Sequence, residues 1–529
     1  MLVVSVSVFC VYKFKPDAKI ISLTKSEDTK TVSSGAAIVP HLDTAKTDRQ
    51  KFLNELSQDV QPQKIVLLSV NHFDSSADFL TSGKNWDFLN QKISIDTDYV
   101  SQLIAAGIIE DKNNVFDGEH GIKNVLPDLA NTFPEAKITP LVVKTGTSQE
   151  ALDKLLTQFQ SSCPECYFVG SVDFSHYQTS SLAEIHDQTT LDALESLDEK
   201  RILTSETDSP EILYLLAKWA KSQNLTFKLF ANSNSGKQSN IFDTETTSWI
   251  IGRFVSGEAK LASRTTFLFG GDLMFDRMVN HRFKDIGFSE IFSALGQRVF
   301  SGCDIRAANL EGPISDQPIN DDISSNNLSF NFPPESLDAL KYLKFNVLSL
   351  SNNHSQNAGI SGLNKTIQTL TANGIKPIGS QTSFDDSNIV HIDTGAVKVA
   401  IIAANMLENI DESKIVEAVK AQKAAGNFVI FFPHWGNEYS QTHSRPQADL
   451  AHKLIDEGAD LIIGSHPHVI QDSEIYKNKL IVYSLGNFVF DQTFSKETQQ
   501  GVMVGGVIQK DSLRISFFPF EIKNYKPQF

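Results

Sequence analysis

Nine short apolar runs rich in β-branched residues punctuate the chain, and each stops at a histidine or at an acid or amide side chain. In the first half they are residues 36–41 (AAIVPH), 65–72 (IVLLSVNH) and 167–176 (YFVGSVDFSH). In the second half they are 266–272 (TFLFGGD), 305–311 (IRAANLE), 346–354 (NVLSLSNNH), 428–434 (FVIFFPH), 461–468 (LIIGSHPH) and 480–487 (LIVYSLGN). Their length and composition predict β-strands. Between several of them apolar residues recur at helical spacing, over 149–160, 362–373 and 447–457. Alternating strands and helices predict an α/β fold. In such sheets ligands bind beyond the carboxyl ends of the strands, where loops converge and helix N-termini point inward. The polar residues that end the runs are therefore expected on shared rims.

At 529 residues the chain exceeds what one core serves, about 250–300 residues, so two domains are expected. The polar stretch 257–264 (GEAKLASR) separates an apolar run at 249–255 from the new strand at 266–269. The expected organisation is an N-terminal segment 1–32, a domain over 33–256 and a domain over 263–529, each domain with its own strand-end histidines and its own site. Residues 1–12 are almost wholly apolar. They are shorter than the ~20 residues of a spanning helix and lack the basic start of a signal peptide. They read as the remnant of an anchor or signal core, with a polar linker over 13–34.

The net charge of −16 argues against a nucleic-acid or anionic-lipid partner recognised through a broad basic surface. An anionic substrate would then need metal ions or local donors to hold it. Four cysteines are too few for a disulfide scaffold. The single closely spaced pair, Cys163 and Cys166, reads as a structural or incidental disulfide rather than a metal or redox site.

In the second half Asp272, Glu311, Asn353, His434, His466 and His468 supply carboxylate, amide and imidazole ligands at predicted strand ends. Oxygen and nitrogen donors without thiolates suit Mn, Fe, Zn or Mg. Six such ligands suffice for two ions, and two ions ~3.5–4 Å apart form a clamp for displacement at phosphorus. In Gly464-Ser465-His466-Pro467-His468 the two histidines at i and i+2 project to one side and can serve adjacent metals.

These motifs resemble the CapA, or poly-γ-glutamate synthesis protein, family, whose domain is similar to the calcineurin-like metallophosphatase fold, an αββα sandwich. The resemblance covers about residues 265–529. It rests on Gly271-Asp272-Leu273-Met274, Asn309-Leu310-Glu311-Gly312, Asn352-Asn353-His354, the run from His434 to Tyr439 (HWGNEY), the His466-Pro467-His468 motif and Ser484-Leu485-Gly486-Asn487-Phe488. It implies that Asp272 and His468 bind a first metal, that Glu311 bridges, and that Asn353, His434 and His466 bind a second. His354 would act as general acid or transition-state donor, with Asn309 and Asn487 supporting the ligands. Two departures stand out. Met274 occupies the position of the fold's Asp-x-His imidazole, so the first metal loses a ligand, and Asn357 stands where an Asp is common.

In the first half His41, His72, Glu119-His120 and Asp173-Phe174-Ser175-His176 gather imidazoles with carboxylates, which suits one Fe, Cu or Zn ion with open positions. These motifs resemble the Memo family (AmmeMemoRadiSam system protein B) over about residues 33–256, with a LigB-like α/β fold. The resemblance implies a metal bound by His41, His72 and a thiolate near Glu206. This chain instead reads Ser205-Glu206-Thr207-Asp208-Ser209-Pro210 there, so Glu206 or Asp208 would complete a two-histidine, one-carboxylate triad. His120, Asp173 and His176 are expected in the same pocket.

The leading expectation is a metal-dependent phosphoesterase-like hydrolase of the CapA type, acting on an anionic polymer or phosphoester with the capsule or envelope synthesis machinery. The alternatives are a non-catalytic polyanion-binding export protein and a Memo-like redox or dioxygenase-type enzyme. The resemblance to CapA together with residues 1–12 favours a membrane-anchored, extracytoplasmic protein over a cytoplasmic one.

Overall fold

The computed structural model describes residues 35–73, 76–84, 86–88, 91–239, 245–318, 323–324 and 326–529. The expected anchor and linker, within 1–34, lie outside the described residues. Among the described residues no helix is long and apolar enough to cross a membrane.

The architecture is α/β in two units. An eight-stranded sheet holds, from edge to edge, Glu110–Asp111, Phe79–Thr81, Lys137–Val143, Lys64–Val70, Tyr167–Ser171, Gly35–Val39, Ser248–Ser256 and Leu225–Asn234. Its four central strands, Lys137–Val143 to Gly35–Val39, are parallel. Both faces are covered by apolar clusters, one including Val66, Leu68 and Phe168 and the other Ile65, Leu67 and Val169. Burial on both faces explains why these strands read as continuous apolar runs. In register, Val39 and Ser69 both pair with Ser171, so His41, His72 and Asp173 emerge from one sheet edge.

Two further sheets form the second unit. One orders Lys376–Ile378, Val347–Ser349, Ile305–Leu310, Arg264–Leu273, Gln500–Gln509, Ser512–Lys523 and Lys526–Gln528, with Asn487–Val489 also paired to Arg264–Leu273. The other orders Ile389–Ile392, Val399–Asn405, Phe428–His434, Leu461–Ile463, Lys479–Val482 and Ser473–Tyr476. Phe267, Phe269 and Ile305 of one sheet pack against Ile401, Ile430 and Phe432 of the other, and separate apolar clusters line the outer faces. The result is an αββα sandwich. The predicted helical stretches appear as Gln149–Ser162, Gly359–Ala372 and Arg445–Asp456.

Two sequence expectations change locally. The run 480–487 is not one strand: Lys479–Val482 ends, the chain turns through Gly486 at φ +72, and Asn487 starts a new strand in the other sheet. The polar boundary stretch is firmly tied down at its end. Asp192 Oδ1 accepts from the Ser263 and Arg264 amides, while Arg201 pairs with Asp192 (2.6 Å) and Asp304 (3.1 Å). The helix Ser180–Ser196 is buried almost all round, and its Leu182 and Ile185 belong to the core of the second unit. The Cys163 and Cys166 sulfurs are joined in a disulfide.

Candidate functional site

Asp272 is the last residue but one of the strand Arg264–Leu273 and pairs in register with Asn309 and Asn487, so three polar side chains converge at the rim of one sheet. His434 ends Phe428–His434 of the facing sheet and bridges to Ser465. The close approach needs glycine: a Cβ on Gly271 would lie 2.0 Å from the Gly486 carbonyl oxygen, and one on Gly464 2.1 Å from that of Tyr483. His466 (φ +99) and His468 (φ +57) adopt left-handed backbone, a strain that persists where surrounding structure enforces it.

The amides orient the ligands. Asn309 Nδ2 donates to Asp272 Oδ1 (2.8 Å) and Glu311 Oε2 (3.3 Å), and Asn352 Nδ2 holds Asn309 Oδ1 at 2.9 Å. Asn487 Nδ2 donates to the Thr498 carbonyl (2.9 Å) and Gln492 Oε1, which leaves Asn487 Oδ1 to accept from His468 Nδ1 at 3.0 Å. That hydrogen bond assigns the proton to Nδ1 and leaves His468 Nε2 bare, 3.4 Å from Glu311 Oε1. Glu311 Oε1 is buried and accepts no hydrogen bond. Asp272, Glu311 and His468 thus present ligand atoms within 4.8 Å of one another. His434 Nε2 meets Asn353 Oδ1 at 2.9 Å, and the His434 and His466 ring centroids lie 4.7 Å apart.

Burial dominates the electrostatics. It pushes Asp272 up to about 7, and raises Glu311 well above the carboxylate range with help from the neighbouring charges of Asp272 and Glu438. It also holds His466 at about 4 and His434 and His468 well below the usual histidine value. Neutral imidazoles beside acids that resist ionising fit a cation: the donor set and the orphaned Glu311 oxygen match a metal ion. His354 lies on the same rim, its Nδ1 against Asn357 Oδ1 at 2.9 Å, with burial lowering its pKa. Met274 is buried in the core, where its sulfur accepts from the Asp276 amide, so it contributes no ligand.

Sequence reasoning missed two groups. Glu438 joins His466 and His468 in a second cluster, and its signal was a carboxylate four residues after His434. Arg277 is buried beside the site, its guanidinium 5.0 Å from the Phe330 ring and 5.7 Å from Phe490, and it pairs with Asp491. No local pattern announced it.

At the rim of the first unit His41, His72 and His120 bring their rings together, with centroids 3.9 Å apart for His72 and His120 and 5.1–5.5 Å for the pairs with His41. His72 Nδ1 meets Glu119 Oε1 at 2.6 Å. Burial opposes ionisation of Glu119, yet the hydrogen bonds from His72 and the Gly121 amide prevail and lower its pKa. The Ser171 hydroxyl donates to the Gly121 carbonyl (2.6 Å), so it accepts from His41 Nδ1 (3.2 Å). His41 Nε2 is then bare and faces Asp173 Oδ2 at 3.2 Å and Asp208 Oδ2 at 3.3 Å. Burial holds His41 at about 3 and pushes Asp173 up to about 6. His176 borders this pocket with a buried Nδ1, held at about 3 by burial and by Arg298.

Of the expected carboxylates it is Asp208, not Glu206, that reaches His41. Glu206 turns away: its Oε1 pairs with Arg298 (2.9 Å) and its Oε2 accepts from the His176 amide (3.0 Å). The third imidazole is His120.

Fold and site together define a two-unit α/β protein with clusters of His, Asp and Glu that could hold a metal ion at the strand ends of both units. Residues 10–210 match the family described as "Memo-like protein" and residues 266–492 that described as "Bacterial capsule synthesis protein PGA_cap", so the chain joins a Memo-like region to a PGA_cap region. The capsule biosynthesis protein CapA of Bacillus anthracis is 27% identical over 285 residues, 50% of this chain and 69% of that protein. The PGA biosynthesis protein CapA of Bacillus subtilis is 28% identical over 276 residues, 49% of this chain and 72% of that protein. A MEMO1 family protein of Caldivirga maquilingensis is 25% identical over 157 residues, 28% of this chain and 55% of that protein.

Proposed function

We propose that the C-terminal unit is a metal-dependent phosphoesterase-type hydrolase serving the synthesis of poly-γ-glutamate, capsule or another envelope polymer. The observation that carries the chemistry is the bare His468 Nε2 facing the unpartnered Glu311 Oε1 beside Asp272. Electron-rich groups buried together call for a cation. Asp272, Glu311 and His468 would hold one divalent ion and Asn353, His434 and His466 a second, with Glu438 available to the pair. Mn, Fe, Zn or Mg suits these donors, and such ions polarise a phosphoryl oxygen and activate water. His354 would donate a hydrogen bond or proton to the leaving oxygen. The polymer context is supported by the relatives named for capsule and PGA biosynthesis.

Met274 in the core favours a second reading, in which a site short of one ligand binds a polyanion without turning it over. In the N-terminal unit His41, with His72 and His120 or with Asp173 and Asp208, would hold a single Fe, Cu or Zn ion. The test is metal content and hydrolysis of p-nitrophenyl phosphate esters by the full chain and by His434→Ala. Loss of metal and of hydrolysis together in the variant supports the hydrolase. Metal without turnover in the wild type supports polyanion binding, and a folded protein that takes up no metal at this cluster overturns both.

A further inference from the structure

The segment that departs from the Memo-like pattern, 205–210, is where the second unit reaches into the first. Glu206, only 4% exposed, carries Arg298 on one carboxylate oxygen (2.9 Å) and the His176 amide on the other (3.0 Å). Around this pair other residues of the segment 297–303 also meet the first unit. The Val299 carbonyl meets His186 Nε2 at 3.1 Å, and His186 Nδ1 meets Ser175 Oγ at 2.9 Å. Gly302 adopts φ +79, and a Cβ there would sit 2.9 Å from that of Glu206 and 3.4 Å from that of His186. The pocket wall itself is zipped together. The Asp208 amide donates to the Asp173 carbonyl (3.1 Å), Thr207 Oγ1 to the same carbonyl (2.8 Å), and the Asp173 amide to Asp208 Oδ2 (3.1 Å).

We infer that the C-terminal unit is a built-in part of the N-terminal pocket: Arg298, acting on Glu206, is a positioning residue for Asp208 and His176. The inference builds on the reading of the His41 cluster as a metal site. Without Arg298 the Glu206 carboxylate would remain buried near Asp208 with no cation beside it, an uncompensated charge that destabilises the loop carrying it. Asp208 belongs to that loop, so its oxygen would leave His41 Nε2. Supporting partners of this kind typically set metal affinity by about 10–100-fold.

The test uses the full chain as wild type, Arg298→Ala and Arg298→Lys. Arg298 is 38% exposed at its side chain, so the substitutions open no cavity in the core, and Arg298→Lys keeps a cation beside Glu206. Zn²⁺ binding is read residue by residue from protection of His72 and His120 against diethyl pyrocarbonate, followed by mass spectrometry. Amide hydrogen exchange over 173–178 and 204–209 is measured in the metal-free protein. The expected result is about a tenfold or greater rise in the Zn²⁺ midpoint in Arg298→Ala, with faster exchange in both segments, partial rescue in Arg298→Lys and no change at His434 or His466. An unchanged midpoint with unchanged exchange overturns the inference. If the wild type shows no protection at His72 and His120, the metal reading of this pocket fails. Exchange then decides alone: faster in Arg298→Ala supports the positioning role, and equal rates overturn it.

Discussion

Metal binding at the C-terminal cluster should release protons over a window set by Asp272. Burial places that carboxyl at about 7, whereas His466 sits at about 4 and His434 and His468 well below their usual value. Above about pH 5 the imidazoles are therefore already bare, and the acids are what must ionise before a divalent ion enters. Because the Asp272 pKa is raised, its ionised fraction climbs from ~1% at about pH 5 to ~75% at about pH 7.5. Affinity should rise with pH by about one to two orders of magnitude across that span from this group alone and level off above it. Glu311, raised further by burial and by Asp272, adds to the slope. Titration calorimetry with Mn²⁺ in buffers of different ionisation heat counts the protons directly. Asp173 and Asp208 in the other unit also hold protons, so the relevant quantity is wild type minus Asp272→Asn. About 0.9 proton should disappear in that difference at about pH 6. An Asp272→Asn protein that releases as many protons as the wild type would refute the reasoning.

Asn487→Ala removes the acceptor that holds the proton on His468 Nδ1 and should weaken divalent-metal binding about 10–100-fold; because the buried Thr498 carbonyl also loses its donor, the metal-free chain should lose about 1–3 kcal/mol, read from its melting temperature. Gly271→Ala forces a methyl onto the Gly486 carbonyl and should destabilise the second unit by about 1–3 kcal/mol or more, visible as a lowered calorimetric transition. Arg201→Ala strips the cation from Asp192 and Asp304 and should cost about 3–5 kcal/mol. It should also split a single calorimetric transition into two.

The strand-end rule works on this chain because its central strands are covered on both faces, so apolar runs stop abruptly where the sheet meets the rim. His41, His72, Asp272 and His434 were legible for that reason. The run at 480–487 misled because Lys479–Val482 and Asn487–Val489 are apolar alike although they belong to different sheets, and only the turn at Gly486 separates them. Glu206 and Asp208 are two residues apart in a loop without periodicity. What sends one to His41 and the other to Arg298 is a contact from 92 residues further along the chain, which no local pattern encodes. Arg277 escaped notice for a related reason: its place between Phe330 and Phe490 depends on aromatic residues distant in sequence.

The helix Ser180–Ser196 has 13 of its 17 residues buried and lends Leu182 and Ile185 to the neighbouring core. A chain cut within 257–263 would leave that face greasy on one fragment and a matching hollow on the other, and both pieces would be prone to aggregate.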